Sequence, residues 1–147
     1  MTREDWKYVE DRLRHAYGSA NLICDGYALD LRVFMINDLR YAIWVYVDGW
    51  FKGAWCLQDC EERRRFLDAV SLKLWSPRHF KGIRKSTLKS MNIDMDARSV
   101  HYRGWWTSFR RLKAHLVKNN REISLVKADE DIAAGIQPQL GYAPQHH

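Results

Sequence analysis

Cys56 and Cys60 form a C-x3-C pair, and Cys24 and His79 are of the right type to complete a four-ligand zinc site. Structural zinc is usually held by two tight ligand pairs. Here there is one pair, and Cys24 ends the apolar run Leu22-Ile23-Cys24, where a thiol packs as a small hydrophobe. Asp94-Met95-Asp96 has the D-x-D form that can hold a divalent ion. It stands in a stretch with loop composition, where two carboxylates are ordinarily solvated.

Nucleophilic chemistry would need Cys24, Cys56 or Cys60 beside His79, His101 or His115, and no spacing favours any such pair. His101 with Asn119 and Asn120 supplies residue types of a histidine-and-asparagine nuclease centre, without its metal ligands. Glu122 and Lys127 are too far apart for a Glu-x-Lys nuclease ending. There is no G-x-S-x-G, no H-E-x-x-H and no Gly-rich phosphate loop. The expectation is therefore no catalytic centre, no metal and no cofactor, with a metal-dependent nuclease as the least favoured alternative.

Phosphate binding is the chemistry better supplied. Arg78, Lys81, Lys85 and Lys89 recur at i, i+3, i+7 and i+11, which on one continuous helix is a single stripe, with Arg84 alongside. Arg111, His115 and Lys118 share a helical face, flanked by Arg110 and Lys113, and Arg63, Arg64 and Arg65 are consecutive. Solvated helix faces ordinarily mix signs, yet residues 78–90 contain no acid at all. Trp75, Trp105 and Trp106 stand near these runs and suit stacking on unpaired bases as well as core packing.

The charge is divided unevenly along the 147 residues. Residues 1–60 hold 7 Lys+Arg against 9 Asp+Glu, residues 61–127 hold 17 against 6, and residues 128–147 add three acids. A basic half attracts nucleic acid, a ribonucleoprotein or an acidic protein surface, and the same imbalance argues against a DNA mimic, which must be acidic. The net charge of +6 hides this asymmetry, while 46% hydrophobic and 29% charged residues are ordinary for a globular chain. No apolar run is long enough to span a membrane. The charged amphipathic start, MTREDWKYVEDRLRH, does not read as a secretory signal. Three cysteines, an odd number, fit a reducing compartment better than a disulfide framework. The expected location is cytoplasmic.

The elements that must position these residues follow from periodicity and turn chemistry. Residues 2–17 predict a helix with a Thr2/Asp5 capping box, an apolar stripe of Trp6, Val9, Leu13 and Tyr17, and Gly18 as its end. Turns at Asp25-Gly26, Asn37-Asp38 and Asp48-Gly49 divide the next stretch into strands of about 20–24, 27–36, 39–47 and 50–55, an antiparallel meander of four. Two-residue turns would set Tyr46 opposite Phe51, Trp44 opposite Gly53 and Val33 opposite Ala42. The core face would then carry Leu29, Leu31, Val33, Met35, Trp44, Tyr46 and Phe51. A helix follows from Asp59 to about Ala69, capped by Asp59 and Glu62. Then come a strand at 71–75, a helix from Ser76-Pro77 to about Ser90 with Phe80, Ile83, Thr87 and Met91 inward, and a strand at 99–103. A helix from Thr107 or Ser108 to Asn119-Asn120 and a strand at 122–127 complete it. The fold class expected is α+β: a four-stranded antiparallel meander with three to four amphipathic helices packed mainly on one face, and the later short strands at its edge or in a second small sheet. One domain is expected over 1–127, with 128–147 a loosely ordered tail.

Three stretches, "VYVDGWFKGAW", "QDCEERRRF" and "WWTSFRRLKAHLVKNNREISLV", together resemble a loose group of small proteins encoded by bacteriophages and prophages, over about residues 20–127. The residues that carry the likeness are Gly49, Lys52, Gly53, Trp55, Asp59, Arg63–Arg65, Phe66, Trp106, Phe109, Leu112, Lys113, His115, Leu116, Asn119 and Asn120. Most also have a turn, cap or core explanation. The resemblance implies a non-enzymatic accessory protein acting in the host cytoplasm. It would block a host defence ribonucleoprotein or nuclease of the CRISPR type by stoichiometric binding, an inference by association. The alternative partner is DNA or RNA bound directly.

Overall fold

The computed structural model describes residues 1–127; the expected tail at 128–147 lies outside the described residues. The described chain divides into two compact units, one built from residues 1–68 and 102–127, the other from Ala69–His101.

The first unit is a five-stranded antiparallel sheet with helices on one face. Its elements are α1 (Arg3–Arg12), β1 (Ser19–Cys24), β2 (Tyr27–Asn37), β3 (Arg40–Val47), α2 (Ala54–Leu57) and α3 (Glu61–Phe66). Strand β4 (Asp68–Lys73) leads into the second unit, which holds α4 (Lys85–Ser90), and β5 (Arg98–Arg103) returns from it. Then follow β6 (Trp105–Trp106), α5 (Phe109–Asn119) and β7 (Ile123–Val126). The large sheet runs β6-β3-β2-β1-β7, and β4 pairs with β5 in a separate two-stranded sheet. The α+β class and the placing of later strands at an edge and in a second small sheet thus stand.

The predicted meander of four is a meander of three. Residues 50–55 do not form a strand: Trp50 closes one bridge to Val47, and the chain turns into α2 at Ala54. The place beside β3 is taken by β6, with Ile43 opposite Trp106 and Trp44 opposite Trp105. Tyr46 and Trp44 therefore do not face Phe51 and Gly53. Two turns are as expected. Asp25 and Gly26 take φ of 48° and 91°, and Asp48 and Gly49 take 52° and 85°, the doubly positive geometry a two-residue hairpin needs.

The middle turn moves the register. Asn37 pairs with Arg40, and a bulge between Met35 and Asn37 leaves Ile36 as the extra residue. Val33 then lies opposite Ile43 and not Ala42, and Leu31 lies opposite Val45. Side chains alternate with a period of two, so a slip of one residue turns a strand over. On β3 it is Ile43, Val45 and Val47 that enter the core, while Trp44 and Tyr46 join Asp30 and Arg32 on the other face. There Trp44 packs on Trp105 with ring centroids 4.8 Å apart, and Arg32 and Asp30 approach to 2.8 Å.

The core side of the sheet holds Leu22, Leu29, Leu31, Val33 and Val45, each essentially inaccessible. Trp6 and Val9 from α1, Leu13 at its C-cap, Phe66 from α3, and Leu112 and Leu116 from α5 close over it. The Thr2/Asp5 capping box forms, but α1 stops at Arg12 and Tyr17 leaves the stripe, 76% exposed, with φ of 61°. Gly18 is required by a close approach: a Cβ there would lie 1.9 Å from the Arg12 carbonyl oxygen. Helix α3 starts one residue later than the Asp59 cap predicts. Cys60 occupies its N-cap position with no side-chain cap, and Asp59 instead lies 3.5 Å from Arg64.

Cys24 is fully buried, and burial pushes its thiol up to about 12. Cys56 and Cys60 are half-buried and unpaired. Iodoacetamide at pH 8 is therefore expected to label Cys56 and Cys60 and to spare Cys24 until denaturant is added, as read by peptide mass spectrometry. Label on Cys24 in the folded protein would contradict this packing.

The second unit is a β-hairpin stem with a long basic connection. Ser76 caps a single 3-10 turn at Pro77–Phe80, its hydroxyl accepting from the Arg78 amide while the His79 ring accepts from the Ser76 amide. The helix expected to continue to Ser90 does not. Gly82 takes φ of +84°, Arg84 is extended, and α4 begins only at Lys85. Gly82 lowers helix propensity, and an unbroken helix would set cations of one sign at successive turns with no acid to offset them. Leu88 is buried, whereas Ile83 and Met91, expected inward, are 42% and 58% exposed.

Candidate nucleic-acid interface

The expected binding residues fall into three situations. The Arg63–Arg65 run points three ways, because successive helical residues are about 100° apart. Arg63 is half-buried with its guanidinium 3.4 Å from the centre of the Tyr102 ring, and its Nε has no hydrogen-bond partner among the described residues. Arg64 is exposed and donates to the Cys60 carbonyl. Arg65 is committed to the fold: it donates to Asp25 at 2.6 Å, to Glu61 at 2.7 Å and to the Asn120 side chain at 3.0 Å.

That Asp25 is a structural hub. Its carboxylate also accepts from the backbone amides of Arg121 and Glu122. These two amides, then Arg65, hold it down to about 2. A carboxyl lower in the folded state than its ordinary 3.8 stabilises the fold above its unfolded value, and that contribution drains away as pH falls toward the folded one. Asp25→Asn keeps a residue that tolerates positive φ but loses the charge. The expected result is a lower urea midpoint at pH 7 and a flatter decline between about pH 5 and pH 2. A variant whose acid limb parallels the parent protein would refute this role.

On α5 the Ser108 hydroxyl caps the helix by accepting from the Arg111 amide. Arg111 does not face outward alone. It donates to Asp68 at 2.7 Å, and Arg103 donates to the same carboxylate at 3.0 Å. Asp68 is 1% exposed. Arg111 also lies over the Trp106 ring, whose Nε1 donates to the Phe66 carbonyl. His115 packs against Trp106 and donates from Nε2 to the Arg64 carbonyl, and burial lowers its pKa. His115 is thus a neutral packing residue. Arg110 and Lys118 are exposed, and Lys113 sits over the Trp6 ring at 5.4 Å.

The third situation is the unit 69–101. Arg78, Lys81, Arg84, Lys85 and Lys89 are all exposed, and among the described residues none is ion-paired. They do not form one helical stripe. They are spread over the 3-10 turn, its exit and α4. Beside them Trp75, His79 and Phe80 form an edge-to-face cluster, with Trp75 and Phe80 centroids 5.3 Å apart. Trp105 and Trp106, the other rings considered for base stacking, are built into the large sheet.

Among the described residues no three His, Cys, Asp or Glu side chains come together as a metal site requires. The Asp94-x-Asp96 pair is a turn, Asp94 accepting from the Asp96 amide. No described helix is long and apolar enough to cross a membrane. No family model, curated protein or solved structure matches the chain.

The pairing of Asp68 with Arg103 and Arg111 was missed from sequence. Its one signal is an acid set between Leu67 and Ala69-Val70, where an unpaired carboxylate would be costly.

Proposed function

We propose that the protein binds nucleic acid, with the unit 69–101 contacting phosphates. The observation that carries this reading is the composition of that unit's surface. It has seven Lys+Arg against two Asp, and its five central cations are exposed and not ion-paired among the described residues. Folding does not use these charges, unlike those of Arg65 and Arg111. The half-buried rings of Trp75 and Phe80 supply apolar faces next to the charge, which favours single strands over duplex. The test is a titration of the isolated protein with labelled single-stranded DNA and RNA at rising salt. Affinity should fall steeply with salt, because phosphate contacts release counterions. Absence of binding at low salt would overturn the reading.

A second reading keeps the surface and changes the partner to a host defence ribonucleoprotein, as the phage-type resemblance implies. It is favoured by aliphatic side chains of the same unit: Leu72, Leu74, Val100 and Met91 are each more than half exposed, more apolar surface than phosphate binding uses. Co-purification with candidate defence complexes, retained after nuclease treatment, would support it. Loss of the complex on nuclease treatment would return the assignment to nucleic acid.

A further inference from the structure

A second basic feature lies wholly within the sheet unit and shares no residue with the surface on which the proposed function rests. Between α1 and α5 is a cleft of about 410 Å³, within the ~300–1,000 Å³ of small-ligand sites. Arg3 and Lys7, one turn apart on α1, line one side, and Arg110 and Lys113, one turn apart on α5, line the other. Trp6 and Phe109 form the base, edge to face at 6.4 Å. The lone acid in the lining is Glu10, whose carboxylate is 3.5 Å from Arg14. Among the described residues none of the four cations is ion-paired.

Four positive side chains converging on one concavity repel each other, and an anion relieves that repulsion. The aromatic base decides what kind of anion. Trp6 is 7% exposed and the Lys113 ammonium already sits over its ring. The Trp6 ring therefore offers no open face to a nucleobase, whereas the four cations supply a surplus of donors for phosphate oxygens.

We propose that the α1/α5 cleft is a phosphate-binding site that takes pyrophosphate or nucleotide phosphates without reading the base. Its phosphates come from free nucleotides or from a strand backbone, and competition separates the two sources. In calorimetry with the full chain, pyrophosphate, ATP and GTP should bind, with ATP and GTP within about two-fold of each other. Lys7→Gln with Lys113→Gln should weaken pyrophosphate at least about ten-fold with an unchanged circular dichroism spectrum. Arg3→Gln with Arg110→Gln, at two exposed positions, gives the same readout if the first pair loosens the helix packing. Displacement of pyrophosphate by a short oligothymidylate assigns the strand backbone, and competition by free nucleotides alone assigns those. Reversing Arg78, Lys81 and Lys85 to Glu should leave pyrophosphate binding intact, so this site stands or falls apart from the unit 69–101. No heat with millimolar pyrophosphate, or unchanged affinity in both double variants, would overturn the proposal.

Discussion

Replacing Arg78, Lys81 and Lys85 with glutamate is expected to lower affinity for a single-stranded oligonucleotide by about 100-fold or more near 50 mM salt. Each change removes a phosphate contact and sets a carboxylate in its place, so the loss exceeds that of neutralisation. The salt dependence separates this from indirect damage. For single strands each phosphate contact contributes about 0.7 to the slope of log affinity against log salt. Losing three contacts therefore flattens the slope by about 2. The three positions are exposed, in the 3-10 turn, at its exit and at the first residue of α4. Stability should change by no more than about 0.5 kcal/mol. A variant that keeps both affinity and slope would remove the unit 69–101 from the binding surface, while a weaker affinity with an unchanged slope would mean that these cations do not touch phosphate.

The charge of that unit was legible from sequence, but its shape was not. A cationic repeat at i, i+3, i+7 and i+11 looks like a helical stripe, yet the chain interrupts it at Gly82. Periodicity records where side chains would stand if the helix formed and says nothing of whether it does. The sheet shows the same limit. Hairpin turns at Asp25-Gly26 and Asp48-Gly49 were read correctly because their geometry demands those residues. Asn37-Asp38 is a weaker signal, and the bulge at Ile36 shifts the pairing by one. That shift exchanges Trp44 and Tyr46 for Ile43, Val45 and Val47 in the core. A two-residue turn at Asn37-Asp38 would put the opposite face of β3 inward; the observed register decides it.

Among candidate site residues, sequence identified cations and could not sort them. Arg65 and Lys81 look alike in a charge count, but one is clamped between Asp25 and Glu61 and the other is exposed. The partners that make the difference lie far off in the chain: Asp25 is 40 residues from Arg65, and Asp68 is 43 from Arg111. Arg3 and Lys7 are inconspicuous in the sequence for a similar reason. They sit in a stretch with Glu4, Asp5, Glu10 and Asp11, where local charge looks balanced. The fold separates the signs, turning Asp5 to cap Thr2 and leaving Arg3 and Lys7 at the cleft.

Asp68→Ala is expected to destabilise the protein by about 3 kcal/mol, the low end for breaking a buried ion pair. The carboxylate is almost fully buried and accepts four hydrogen-bond contacts, two from Arg103 and two from Arg111. The low end applies because the arginines are not sealed in. Their side chains are 26% and 52% exposed, so water takes up part of the charge left behind. The asymmetry gives the test its sharpness. Arg111→Ala leaves Asp68 paired with Arg103 and removes a half-exposed partner, so it should cost about 1 kcal/mol. Asp68→Asn keeps the shape and loses the charge, and should fall between the two. Urea unfolding of the three variants measures the order, and the Asp68→Ala/Arg111→Ala double variant should cost little more than Asp68→Ala, since the second change removes a partner already lost. Equal costs for the two single alanine variants would show that the buried carboxylate does not organise this corner of the sheet unit. The expected order would explain why Arg103 and Arg111, alone among the described cations in sharing a fully buried carboxylate, belong to the fold's support and not to its binding surface.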